Sequence, residues 1–247
     1  MAIKSKIQWT QDTWNPWHGC KKVSPGCKYC YMYRDKERYG QNPTAVLKSK
    51  TKFKEPLKCK ESRLIFTCSW SDWFIEKADA WRADAWEIIR QTPQHTYQIL
   101  TKRPERIKDN LPLYFSELKN VWIGVSIESE KQVGRLKYLK YLNCITFASF
   151  EPLIGPITWN GMMSALDWCI VGGESGNETG KWRYREMKLA WAENIVKGAN
   201  ENNAPCFVKQ LGTYQAKQLG FKGKHGGDFD EFPENLKVRE FPKSYII

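Results

Sequence analysis

The chain has 247 residues, 41% of them hydrophobic and 14% aromatic, including twelve tryptophans, which excludes a disordered composition and suits one large α/β domain or at most two small ones. Lysine and arginine number 39 against 27 aspartates and glutamates, a formal charge of +12, and a surplus of that sign favours a polyanionic partner such as a nucleic acid or nucleotide. Eight cysteines are too few for a disulfide framework at this length, and Cys59, Cys68, Cys144, Cys169 and Cys206 lie scattered, as core or free thiols do.

The N-terminal stretch MAIKSKIQWTQDTWNP holds no apolar run of signal-peptide length, and no later segment approaches the ~18 apolar residues of a membrane span. A soluble, cytoplasmic protein is expected, with no membrane partner. Next comes His18–Tyr31, HGCKKVSPGCKYCY, where Cys20, Cys27 and Cys30 fall within eleven residues. Thiolates are soft ligands that select zinc or an iron–sulfur cluster. A structural zinc site fills four positions, and His18 is the fourth ligand on offer. Three cysteines alone suit a [4Fe–4S] cluster with one iron left open. Ser24-Pro25-Gly26 predicts a turn, and YMYRDKERYG after Cys30 predicts a helix ended by Gly40.

From residue 64 short apolar runs alternate with polar or helical stretches. The expected strands are Leu64–Cys68, Thr96–Leu100, Val121–Ser126, Ile145–Ser149, Trp168–Val171 and Pro205–Lys209. The expected helices are Ala78–Gln91, Glu130–Tyr141 and Glu186–Asn200, the first burying Ala80, Ala83, Trp86, Ile88 and Ile89. This alternation predicts an α/β fold with a parallel sheet. Polar clusters follow the runs: Ser69, Ser71 and Asp72; Thr101, Lys102 and Arg103; Ser126 and Glu128; Ser149 and Glu151; Gly172, Gly173, Glu174 and Ser175; then Gln210. Functional groups at every carboxyl end predict a partial (β/α) TIM-like barrel of about six or seven parallel strands, counting the cysteine segment as the first. The chain reads as one domain, with a cysteine loop and basic section over 1–63, the barrel over 64–218 and a tail over 219–247.

Glu151 and Glu174 are the candidate catalytic carboxylates, placed to bind an amine or ribose hydroxyls or to manage a substrate proton. Gly172 and Gly173 would let backbone approach a ligand closely. Lys102, Arg103 and Lys209 add cations that would neutralise a carboxylate or phosphate. Trp9, Trp14, Trp17, Trp70 and Trp73 surround the cysteine segment, suited either to core packing or to stacking on a base.

The cysteine loop before a (β/α) series, with Cys27-Lys28-Tyr29-Cys30-Tyr31 at its end, resembles the radical S-adenosylmethionine superfamily. That resemblance implies a [4Fe–4S] cluster on Cys20, Cys27 and Cys30 whose open iron chelates S-adenosylmethionine, an electron donor, and reductive cleavage to a 5′-deoxyadenosyl radical. It also implies cofactor contacts from Ser126 and Glu128, and Ser71, Asp72, Gly172, Gly173 and Glu174 are expected to line the same cofactor-binding cavity from their strand ends. KIQWTQDTWNPWHGCKKVSPGCKYCY, CSWSDWF, LTKRPERI, IGVSIES, FEPLIGPI, IVGGESG, FVKQLG and GGDFDEFPENLKVREFP more closely resemble a phage- and prophage-associated three-cysteine family with a radical-SAM-like barrel. Two features depart from the superfamily pattern. Six residues separate Cys20 from Cys27 where three are usual, and Ser69-Trp70-Ser71-Asp72 stands where a glycine-glycine-glutamate commonly follows the second strand. Modification or repair of a nucleic acid or nucleotide is the expected activity, a zinc-stabilised nucleic-acid-binding protein the alternative.

Overall fold

The computed structural model of the protein describes residues 5–243. The chain divides into two compact units, Met1–Val125 with Tyr141–Ile145, and Ser126–Lys140 with Thr146–Ile247. In chain order the elements are β1 (Asp12–Trp14), β2 (Trp17–His18), α1 (Tyr31–Arg38), β3 (Leu47–Lys48), β4 (Leu64–Thr67), α2 (Asp79–Gln91), β5 (Thr96–Thr101), β6 (Val121–Ser126), β7 (Ile145–Phe150), β8 (Trp168–Gly172), α3 (Leu189–Glu201), β9 (Cys206–Gln210) and α4 (Gly212–Gln218).

In the first unit β1, β4, β5 and β6 pair in parallel in that order, with Asp12 opposite Ile65, Leu64 opposite Thr96 and Tyr97 opposite Val121. In the second, β7, β8 and β9 do the same, with Phe147 opposite Trp168 and Cys169 opposite Cys206. The seven parallel strands follow chain order without reversal. The fold is therefore α/β, with the strand order of a partial (β/α) barrel and no switch point of the doubly wound kind. Strands β4, β6 and β8 are buried along their whole length, which is why they read as unbroken apolar runs.

Four expectations are corrected. The first strand is Asp12–Trp14, and the cysteine segment adds only Trp17–His18, paired antiparallel with Leu47–Lys48. The run expected as a helix over Glu130–Tyr141 is a 3-10 helix, Glu130–Tyr138. Gly134 weakens an α-helix there, and its buried residues Val133 and Leu136 lie three apart, the repeat of the tighter turn. Helix α3 starts at Leu189 rather than Glu186; the Gln215 side chain donates to the Met187 carbonyl (2.6 Å) and holds that residue outside it. In α2, Ala80 and Ala83 are exposed, while Arg82 and Ala85 join Trp86, Ile88 and Ile89 in the core. Arg82 turns the helix by donating to the carbonyls of Trp73 (2.9 Å) and Ile75 (2.8 Å) and to the Asn110 side chain.

Helix α1 ends at Gly40 as expected: its φ is +64°, its N–H donates to the Glu37 carbonyl, and the Gln41 N–H donates to that of Lys36. In the second unit the C-terminal segment covers the edge of β9. Val208 N–H donates to Val238, Glu240 N–H donates to Cys206 (2.8 Å each), and Phe241 stacks on Trp168 at 5.3 Å. The Arg239 guanidinium lies against Phe207, Phe229 and Phe232, so the edge is closed by backbone pairing and cation–π contact together. Among the described residues no helix is long and apolar enough to cross a membrane.

His95 is fully buried at the start of β5, with Nε2 3.2 Å from the Pro56 carbonyl. Burial holds its pKa below the ordinary 6.5, so the folded state resists a proton that the unfolded chain accepts. Stability is therefore lost as pH falls through about 6.5. Urea unfolding at pH 7.5 and 5.5 should show this loss in the parent and a smaller one in His95→Gln.

Candidate functional site

The cysteine loop is pinned by backbone before its thiols enter the account. Gly19 sits at φ +91° with the Ala45 carbonyl only 2.0 Å from where a Cβ would stand, a place open to glycine alone. Its N–H donates to the Trp70 carbonyl (2.9 Å), its carbonyl accepts from Ser71 Oγ (2.6 Å), and the Cys20 N–H donates to Pro43 (2.9 Å). Cys27 closes the 3-10 turn Pro25–Cys27, with Ser24 Oγ 3.8 Å from its sulfur. Cys30 is the N-cap residue of α1, and its carbonyl accepts from the Tyr33 N–H (3.1 Å).

The three thiols share one neighbourhood. Burial pushes the Tyr33 hydroxyl up to about 12, and Cys20, Cys27 and Cys30 each add to the rise; that hydroxyl donates to the Cys20 carbonyl (2.5 Å). Burial likewise pushes the Cys20 thiol up to about 12, with the Asp72 carboxylate adding and Arg103 opposing, and burial raises Cys30. Such thiols stay protonated at neutral pH until a cation arrives to displace the proton. Among the described residues no three His, Cys, Asp or Glu side chains are arranged to hold a single metal ion. His18, the fourth zinc ligand on offer from sequence, has Nδ1 2.5 Å from the buried Lys36 ammonium, and burial followed by that charge lowers its pKa.

Ser71 and Asp72, the expected cofactor contacts, are hydrogen-bonded to the cysteine loop and to the segment that supports it. A carboxylate has about four acceptor sites, and Asp72 uses them all. Oδ1 takes Thr101 Oγ1 (2.7 Å) and the Phe74 N–H (2.9 Å); Oδ2 takes the Lys102 N–H (2.9 Å) and Arg103 Nη1 (3.2 Å). Arg103 is thereby fixed 3.8 Å from the Cys20 sulfur, with Nη2 on the Lys21 carbonyl (2.9 Å). It is buried at 5% exposure rather than set on a rim. Trp14, Trp17 and Trp86 each pack against Trp73, with ring centroids 5.0–5.9 Å apart. With Trp9 they are core residues, and Trp70 is half-buried.

In the second unit each expected carboxylate meets a cation of its own. Fully buried Glu128 accepts from Arg135 Nη1 (3.0 Å), which also reaches the Ser126 carbonyl (2.6 Å). Glu174 is held bidentate by Arg185, Nε to Oε2 at 2.8 Å and Nη2 to Oε1 at 2.6 Å, with the Arg185 N–H also on Oε2 (3.0 Å). Glu151 takes Lys209 Nζ on Oε1 (3.0 Å) and the longer Ser149 Oγ bond on Oε2 (3.3 Å). The glycines make room for their own chain: a Cβ on Gly172 would stand 2.3 Å from Glu151 Oε1, and one on Gly173 would stand 2.3 Å from the Leu211 carbonyl. Sequence reasoning missed Arg135, Arg185 and Tyr33, whose spacing from their partners carries no motif, and it placed Arg103 and Lys209 as cations without their carboxylates.

Fold and site define an α/β protein of parallel strands, with a three-cysteine loop in its first unit and cation-paired carboxylates at its strand ends. The family described as a protein of unknown function (DUF5131) matches residues 4–237, and the chain belongs to it. Comparison with curated proteins and with solved structures found no match.

The saturation of Asp72 has a measurable cost. Asp72→Asn turns an amide NH2 toward the Lys102 N–H and the Arg103 guanidinium, opposing donors to donors, and should destabilise the fold by about 2–4 kcal/mol. Denaturant unfolding reads the loss, and limited proteolysis should cut the Cys20 loop faster than in the parent.

Proposed function

We propose that the protein is an iron–sulfur enzyme of the radical S-adenosylmethionine type, with a [4Fe–4S] cluster on Cys20, Cys27 and Cys30 and a nucleic acid or nucleotide as substrate. The observation that carries this reading is that Cys20, Cys27 and Cys30 lie in one loop whose two ends Tyr33 ties together, its hydroxyl donating to the Cys20 carbonyl (2.5 Å) and its N–H to the Cys30 carbonyl (3.1 Å). The donor set fits the group: the ligands are soft, a metal would supply the charge that ionises them, and three leave one iron open. When bound, such a cluster supplies the electron for reductive cleavage of S-adenosylmethionine, so an electron donor is a required partner.

The chain's own residues then take distinct tasks. Arg103 holds positive charge beside the Cys20 ligand, and Asp72 positions Arg103. Within the second unit Arg135 and Arg185, oriented by Glu128 and Glu174, are the cations for a carboxylate or phosphate. Glu151 is the carboxylate suited to a substrate proton, because Oε2 carries only the long bond from Ser149 and the side chain keeps 15% of its surface open beside Lys209. Glu174 is thus a positioning residue rather than a base.

Protein purified without oxygen should be brown, hold about four irons and matching sulfide per chain, and bleach with dithionite. Cys20→Ala, Cys27→Ala and Cys30→Ala should each lose the iron. Colourless protein holding one zinc after anaerobic reconstitution would overturn the reading. Arg103→Gln should keep its iron while its midpoint potential falls, since a positive hydrogen-bond donor near a ligand sulfur favours the reduced cluster; a redox titration reads that shift.

A further inference from the structure

We infer that residues 20–60 form a docking surface for single-stranded nucleic acid. This segment contains 12 lysines and arginines against 3 acidic residues, so it carries nine of the chain's twelve net charges, while the rest is close to balanced with 27 basic and 24 acidic residues. Lys21, Lys28, Arg38, Lys50, Lys54 and Lys58 are exposed. Lys50, Lys54 and Lys58 make no ion pair among the described residues, whereas neighbouring Lys48 and Lys52 are matched to Asp84 and Glu55. An excess spread over this length suits several successive phosphates rather than the one or two of a mononucleotide.

Aromatic rings are interleaved with these charges. Tyr39 is 66% exposed and Tyr31 42%, and the Lys28 ammonium lies 5.1 Å from the centre of the Tyr29 ring. Exposed rings among unpaired cations are the means by which unpaired bases are stacked while the backbone is tracked. Duplex readout asks for a helix or two-stranded ribbon in a groove. Here α1 has eight residues, with Met32, Tyr33 and Lys36 buried, and the β2/β3 ribbon pairs only two residues on each side. An anionic membrane surface asks for a long amphipathic helix, and the helical elements of this segment run three, eight and four residues.

The inference rests on the substrate class of the proposed function and not on its cofactor. The test is fluorescence anisotropy with labelled single-stranded DNA and RNA of about 20 nucleotides, over a range of salt, on anaerobically purified protein whose iron is assayed in the same sample. Affinity should fall with salt as a straight log–log line of slope several times −0.7, roughly one such step per phosphate neutralised. Lys50→Glu/Lys54→Glu/Lys58→Glu should bind about tenfold more weakly or worse with a shallower slope, while retaining its circular dichroism. Tyr39→Ala should weaken binding with the slope kept, and Lys222→Glu/Lys224→Glu, in the second unit, should match the parent. Unchanged binding in the triple variant, equal loss in the second-unit control, or displacement of the oligonucleotide by phosphatidylserine vesicles would overturn the surface. Protein that stays iron-free after anaerobic reconstitution yet binds the oligonucleotide would sink the enzyme reading and leave the surface standing; iron-loaded protein that does not bind would do the reverse.

Discussion

A carboxylate at the end of a buried strand cannot stand alone, and this constraint organises both units. Asp72 after β4, Glu128 after β6, Glu151 after β7 and Glu174 after β8 are each joined to one cation, respectively Arg103, Arg135, Lys209 and Arg185. Removing water from an ion costs several kcal/mol, so a buried carboxylate persists only with a partner and further hydrogen bonds. Three of the four cations are arginines, whose planar fork satisfies carboxylate oxygens and neighbouring carbonyls at once. Arg103 reaches Asp72 and the Lys21 carbonyl, and Arg135 reaches Glu128 and the Ser126 carbonyl. In these two cases the pair stitches a strand end to a loop, so electrostatic satisfaction and loop placement are a single event.

Glycine is the second device, and it works by absence. Gly172 leaves the volume that the Glu151 carboxylate fills, and Gly173 lets the Leu211 carbonyl approach, with Gly212 at φ +80° completing the contact. A methyl group at either position would move β8 or its neighbours. The motif Gly172-Gly173-Glu174 is thus a packing device that also delivers a bidentate anchor for Arg185. In the first unit Gly19 plays the corresponding part, admitting the Ala45 carbonyl so that Cys20 can be tied from both flanks.

What was legible in the sequence follows from range. Apolar runs bounded by polar residues identify β4 to β9 because burial on both faces is written into each run itself. The three-residue β1 has no such run, and its pairing to Ile65–Thr67 is settled fifty residues away. Cys20, Cys27 and Cys30 are legible because spacing within one loop is local. The partners of these two strand-end carboxylates are not: α2 and β5 lie between Asp72 and Arg103, and Glu151 to Lys209 spans 58 residues. The face of α2 was misread for the same reason, since carbonyls at Trp73 and Ile75 select Arg82 for burial, and an apolar-periodicity argument does not count an arginine as core.

Pairing also explains where the net charge is left. Once buried arginines are spent on buried carboxylates, they add nothing to the protein's outward field; what remains is the lysine surplus of residues 20–60, in which nearly every cation is a lysine. Lysine is a strongly hydrated point charge on a flexible stem, suited to a solvent-facing, sequence-tolerant contact, whereas arginine's fork suits fixed geometry. The chain therefore divides its cations by chemistry as well as by place: arginines hold the interior carboxylates, and lysines on the segment that carries the cysteine loop face solvent. A polyanion drawn to that segment would arrive at the loop whose thiols the rest of the first unit is arranged to hold.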